Sequence, residues 1–170
     1  MTCINEYNFK IFYICTYNCC RDMNVEQIIK TEKEIPLASR TIIHLSLVMN
    51  KISEIVSSAL KPFEMSPEQF NVLRILRGQK NQPANLSTLN ERMVHKMSNT
   101  TRLVDKLIKK GYVHRTVCPS NRRKVEIRIT DEGKSILKDL DQAMALAEEE
   151  ILKNFDVKEL KELNTLLNKF

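Results

Sequence analysis

The stretch Ser98-Asn99-Thr100-Thr101-Arg102-Leu103-Val104-Asp105-Lys106-Leu107-Ile108-Lys109-Lys110-Gly111 decides the fold. Leu103, Val104, Leu107 and Ile108 recur at three-to-four spacing, the repeat of a helix with one buried face. Ser98 stands where an N-cap hydroxyl would accept from a free backbone N–H, and Gly111 where a left-handed residue closes a helix. The other face carries Asn99, Thr101, Arg102, Asp105, Lys106 and Lys109: short hydrogen-bonding groups near the start, cations farther along. Upstream, Asn85 is placed to cap a short helix bearing Leu86, Leu89 and Met93. With 94–97 as a tight link, the two helices read as a helix-turn-helix. Downstream, 112–118 and 124–130 read as extended, because Val125, Ile127 and Ile129 alternate with Glu126 and Arg128. Pro119-Ser120-Asn121-Arg122-Arg123 between them is turn chemistry, so a hairpin is expected with Arg122, Arg123 and Lys124 at its tip.

Working outward, longer helices flank this unit. From Ser39 to Lys61, apolar residues from Ile42 to Leu60 occupy most of a helix circumference, the pattern of a helix wrapped by others. Ser66-Pro67-Glu68-Gln69 supplies a cap, a proline at the first helical position and a capping-box partner for a helix running to about Gly78. Thr130-Asp131-Glu132 opens a long helix with acids where the dipole favours them, and Asp156 with Glu159 caps a last helix bearing Val157, Leu160, Leu163 and Leu167. The expected fold class is mainly α with a small β-hairpin wing. A winged helix-turn-helix spans 62–131, and 37–61 with 132–170 form a helical dimerisation region. Residues 1–24, rich in Tyr, Asn and Cys, are expected to be an extension, either flexible or an artefact of an upstream start codon, since ordinary texture begins at Met23.

Composition agrees with a helical protein: 170 residues, 42% hydrophobic and 28% charged, with three Gly and no Trp, which argues against collagen-like, propeller and sandwich architectures. The formal charge of +6 is unevenly spread. Residues 92–128 hold eleven Lys or Arg against Asp105 and Glu126, while 129–170 are net acidic. A localised basic surface suits a polyanion, above all a phosphate backbone whose condensed counterions are released on binding. A solvated basic face without a partner is the competing reading, and the pattern decides against it. Short polar groups on the second helix suit base edges in a major groove, and cations at a hairpin tip suit phosphates or a narrow minor groove. Double-stranded DNA is therefore the expected partner, through Ser98, Asn99, Thr101, Arg102, Lys106, Lys109, Arg122, Arg123 and Lys124. A winged module for protein or RNA is the alternative.

No Ser/His/Asp, Cys/His or glycine-rich phosphate constellation is present, so neither an enzyme nor a cofactor is expected. His44, His95 and His114 are isolated, and no His or Cys pair has zinc-site spacing, so no metal is expected. Five Cys is odd for a disulfide framework, which points to free thiols and a cytoplasmic setting. Cys118, flanked by basic residues, and Cys15, Cys19 and Cys20 leave a thiol-based redox sensor as a lesser alternative. No apolar run approaches the ~18 residues that would cross a membrane.

From Leu86 to Gly133 the sequence resembles the MarR family of bacterial transcriptional regulators. Residues 98–107 are similar to that family's recognition helix, Lys110-Gly111-Tyr112-Val113-His114-Arg115 to its exit into the wing, and Arg122-Arg123 through Ile129-Thr130-Asp131-Glu132-Gly133 to its wing and following helix start. The resemblance implies a homodimer held by the first and last two helices of 37–170, a pseudo-palindromic DNA site, and repression relieved by a small aromatic or phenolic anion. That ligand would lie between the dimer helices and the winged domain, where Arg40 and His44 are the candidate partners. The resemblance also makes Arg123 the wing arginine. Asn121 stands where the family usually has an Asp that braces it, and Cys118 replaces another common Asp, so a looser wing is expected. Some relatives sense peroxides through a Cys at the start of the first long helix; Pro36-Leu37-Ala38-Ser39-Arg40 here sets that mechanism aside.

Overall fold

The computed structural model describes residues 23–80, 82–94, 99–118 and 121–170, with the backbone alone at Cys118 and 121–124. In chain order the elements are α1 (Val25–Ile28), α2 (Leu37–Leu60), a 3-10 turn (Lys61–Phe63), α3 (Pro67–Gly78), α4 (Leu86–Arg92), α5 (Thr100–Lys109), β1 (Val113–Cys118), β2 (Asn121–Ile129), α6 (Asp131–Leu152) and α7 (Val157–Leu167). Packing divides the chain inside α2, with one unit ending at Asn50 and the other starting at Lys51. No helix among the described residues is long and apolar enough to cross a membrane.

In the first unit α1 is a single turn that hydrophobic periodicity does not announce. Asn24 caps it, its side-chain oxygen accepting from Gln27 N at 2.9 Å, and Val25 is buried. Asn24 thus belongs to the folded part rather than to the expected extension; residues 1–22, with Cys3, Cys15, Cys19 and Cys20, lie outside the described residues. Glu26 reaches α2, where it pairs with Arg40. The helix α2 itself begins at Leu37, two residues before the expected Ser39.

The second unit is built on locally encoded helix starts. At α3 the capping box closes as read: Gln69 N donates to Ser66 Oγ at 3.2 Å and Ser66 N to Gln69 Oε1 at 3.0 Å. Behind it, Phe70, Val72, Leu73 and Leu76 enter a core shared with Leu60, Leu89, Val104, Leu107, Val113, Ile127, Leu137 and Leu140. Each fully buried side chain of this size contributes roughly 1.5–3 kcal/mol of transfer free energy. Arg77 on α3 pairs with Asp141 on α6, fastening the long helix to this core.

The strands β1 and β2 pair antiparallel, from Val113 opposite Ile129 to Val117 opposite Val125, with an irregularity between Val117 and Cys118. The second strand already starts at Asn121, so 121–123 are strand and not turn as expected: Asn121 pairs with Cys118 close to the chain reversal, and 122–124 bulge between that pair and Val117–Val125. Ala84 adds a bridge at the other edge, with Ile127 N donating to Ala84 O at 2.7 Å and Ala84 N to Ile127 O at 3.0 Å. Gly111, at φ +77°, closes α5. Thr130 then does two jobs: its Oγ1 accepts from Gly133 N at 2.9 Å to cap α6 and donates to Gly111 O at 2.7 Å.

Candidate nucleic-acid interface

Along α5, Val104 and Leu107 are wholly buried, while Thr101, Arg102, Lys106 and Lys109 are exposed. The three-to-four spacing therefore fixes both faces at once. Asn99, exposed, occupies the cap position that the sequence suggested for Ser98. Its side chain makes no cap hydrogen bond, and Ser98 lies outside the described residues. The start of α5 is held instead by Thr100, 3% exposed, whose hydroxyl donates to Asn90 Oδ1 on α4. This bond crosses the turn of the helix-turn-helix and sets one helix against the other. Thr100 precedes Val104 by one helical turn, so the buried-face periodicity contained this signal.

Asp105 is the one acid in α5, and Arg115 on β1 meets it, with the guanidinium nitrogen 3.1 Å from Oδ1. Both side chains are over a third exposed, so the pair adds little stability. Its effect is local: it offsets the one negative charge on an otherwise basic face, and it ties the hairpin to α5. Arg115 was not among the residues singled out by sequence reasoning, because a lone cation in an alternating strand carries no pattern of its own. Arg122, Arg123 and Lys124 lie on β2 beside the hairpin's far end, and the strand that bears them is anchored at its other end by the Ala84–Ile127 bridge and the buried Ile127.

Arg40 and His44 lie on α2 in the other unit. Arg40 grips Glu26 with two nitrogens, Nε at 2.7 Å from Oε1 and Nη2 at 3.3 Å from Oε2. That hydrogen-bonded pairing holds the Glu26 carboxyl below its ordinary range and the guanidinium above its own. Half-buried His44 adds a smaller field in the same direction on Glu26. Arg40 thus has its charge already matched, and an anionic ligand would compete with Glu26 for it. His114 is exposed on β1 and His95 lies outside the described residues. Among the described residues no three His, Cys, Asp or Glu gather as metal ligands would.

This geometry has known counterparts. The MarR family profile matches residues 65–125. The HTH-type transcriptional regulator BilQ from Clostridioides difficile is 27% identical over 104 residues, which are 61% of this chain and 69% of BilQ. The crystal structure of a MarR transcription factor from Planctomyces limnophilus is 30% identical with a TM-score of 0.64, covering 81% of this chain and all of the other. A mutant of MarR from E. coli complexed with operator DNA is 26% identical with a TM-score of 0.66, covering 86% of this chain and 98% of the other.

Proposed function

The chain belongs to the MarR family of transcriptional regulators, and from that premise we propose that it acts as a homodimer binding double-stranded DNA at a pseudo-palindromic operator. The observation that carries this reading is the outer face of α5. Thr101 and Arg102 stand exposed near its amino end, Lys106 and Lys109 follow them, and Asp105 is offset by Arg115. In this reading α5 enters the major groove, and Arg122, Arg123 and Lys124 reach the flanking backbone or minor groove.

A dimer is favoured by apolar side chains that one chain leaves uncovered: Leu37, Ile42 and Met49 on α2, and separately Leu146, Val157 and Leu166 on α6 and α7. A second copy burying these surfaces through 37–61 and 132–170 removes them from water and couples folding to association. Operator occupancy would then act as repression. Relief by a small aromatic or phenolic anion requires that ligand to prefer the arrangement that does not fit DNA. His44 is the better of the two expected ligand partners, since Arg40 is engaged by Glu26.

Arg102→Ala tests the proposal. It should weaken binding to the preferred duplex by about 1–3 kcal/mol and change random DNA by less, as read by mobility shift at fixed salt. An equal loss on both would reduce Arg102 to a phosphate contact, and retention of single-stranded RNA in preference to duplex DNA would replace the function altogether.

A further inference from the structure

Two helix ends in the second unit are closed in the same way and meet. At the end of α5, Gly111 N donates to Ile108 O at 2.9 Å and Tyr112 N to Leu107 O at 3.0 Å, with Gly111 left-handed at φ +77°. Where α2 runs out through the 3-10 turn, Glu64 N donates to Lys61 O at 2.9 Å and Met65 N to Leu60 O at 3.3 Å, with Glu64 left-handed at φ +52°. Such a pair of bonds around a left-handed residue usually falls to glycine, because a β-carbon makes that conformation costly. Glu64 therefore depends on what surrounds it to stay there. Leu60 and Met65, both buried, anchor the turn from the core side. On the other side, Lys110 Nζ donates to the Glu64 carbonyl oxygen at 2.8 Å.

Lys110 differs from the cations before it. Lys106 and Lys109 are exposed, whereas the Lys110 side chain is 27% exposed and folds back onto the turn that ends α2. Its ion pair is not what holds it there, since the Glu64 carboxylate is 88% exposed and 3.7 Å away, a setting in which charges contribute little. The specific bond is the charge-assisted one to a carbonyl oxygen fixed by the backbone, 46 residues away in sequence. It ties the residue that caps α5 to the point where α2 gives way to α3. We propose that Lys110 is a positioning residue for DNA binding: its bond to the Glu64 carbonyl fixes the carboxyl end of α5 against the end of α2, and thereby sets the half-site spacing that a dimer accepts. This role rests on the reading of α5 as the helix that enters DNA and of α2 as a dimer helix; the bond itself does not.

Lys110→Met keeps the apolar stem and removes the donor, and Lys110→Arg restores a cationic donor. Amide hydrogen exchange of the full-length protein without DNA reads the tie. Relative to the Leu73 amide in the core, exchange at the Glu64 and Met65 amides should be about threefold or more faster in Lys110→Met and close to the parent in Lys110→Arg. Unchanged relative rates in Lys110→Met overturn the tie. Duplexes carrying the selected operator, with its half-sites at the preferred spacing or one base pair (about 3.4 Å) farther apart, read the role. The parent should favour the first about tenfold or more, Lys110→Met should compress that preference to about threefold or less with an unchanged salt dependence, and Lys110→Arg should restore it. A preference that Lys110→Met leaves intact, or that the parent lacks, overturns the role. So does an equal loss on both duplexes with a flatter salt dependence, which would make the ammonium a phosphate contact. Glu64→Gly keeps the carbonyl and relieves the left-handed residue, so it should retain the parent's preference; loss of that preference would transfer the effect to the carboxylate and overturn the assignment. Absence of duplex binding by the parent would overturn the DNA-binding reading, and stands apart from failure of the tie because exchange at Met65 still reports the bond.

Discussion

Gly133 occupies a place with no room for a side chain. A Cβ there would lie 2.8 Å from Ile129 Cγ1 and closer still to the Tyr112 carbonyl oxygen, which already accepts from Thr130 N at 3.0 Å. Gly133→Ala must therefore push α6 off the hairpin base. It is expected to cost roughly 1–3 kcal/mol, read as a lower urea midpoint with an unchanged slope; an unshifted midpoint would mean that the helix start can yield freely. Glu26 gives a second test. Its carboxyl titrates below its ordinary 4.5 when folded because Arg40 bonds the charged form. The contribution of the pair is therefore complete above that value and is lost as pH falls through the lower folded midpoint. Carbon-13 NMR should place the Glu26 midpoint below 4.5 in the native protein, and Arg40→Ala should return it upward; an unmoved midpoint would contradict the pairing. Neither contact was legible beforehand. Gly133 entered the reading as part of a resemblance, and Glu26 and Arg40 meet across separate elements, where no local spacing points to them.

Helix starts were the most legible features, because their physics is local. Ser66 with Gln69, Asn85, Thr130 and Asp156 with Glu159 each satisfy orphan N–H groups within four residues, and each does so in the structure. The turn α1 escaped notice because four residues are too few to show a period; a cap and one ion pair sustain it. The hairpin escaped in part as well. Asn121-Arg122-Arg123 has turn composition, yet the single Cys118–Asn121 pair extends β2 that far, with 122–124 left between it and the Val117–Val125 pair as a bulge that composition does not announce. Because β2 carries Arg122 and Arg123 in its irregular stretch at the hairpin's far end, their effect on DNA should be electrostatic. Replacing both with Ala should flatten the dependence of log K on log salt by roughly 0.9 for each phosphate that is no longer neutralised. An unchanged slope would take the hairpin off the DNA.

For the protein as a unit, the partition of charge was the most informative reading. Residues 92–128 concentrate the positive charge, and the structure sets most of that segment on α5 and the hairpin, while the acidic remainder falls on α6 and α7. What composition did not reveal is how cations are sorted: Arg115, Arg77 and Arg40 are each tied to an acid of the chain, whereas Lys106 and Lys109 meet no acid among the described residues. Such sorting depends on which elements meet, and so had to wait for the fold. In the proposed complex, two copies present two α5 helices to one duplex. Selection of bound sequences from a random pool of double-stranded DNA tests it most directly. Two related half-sites in inverted orientation are expected to be enriched, their centres about 34 Å apart, one helical turn. Enrichment of a single unrepeated half-site, or no enrichment at all, would contradict it.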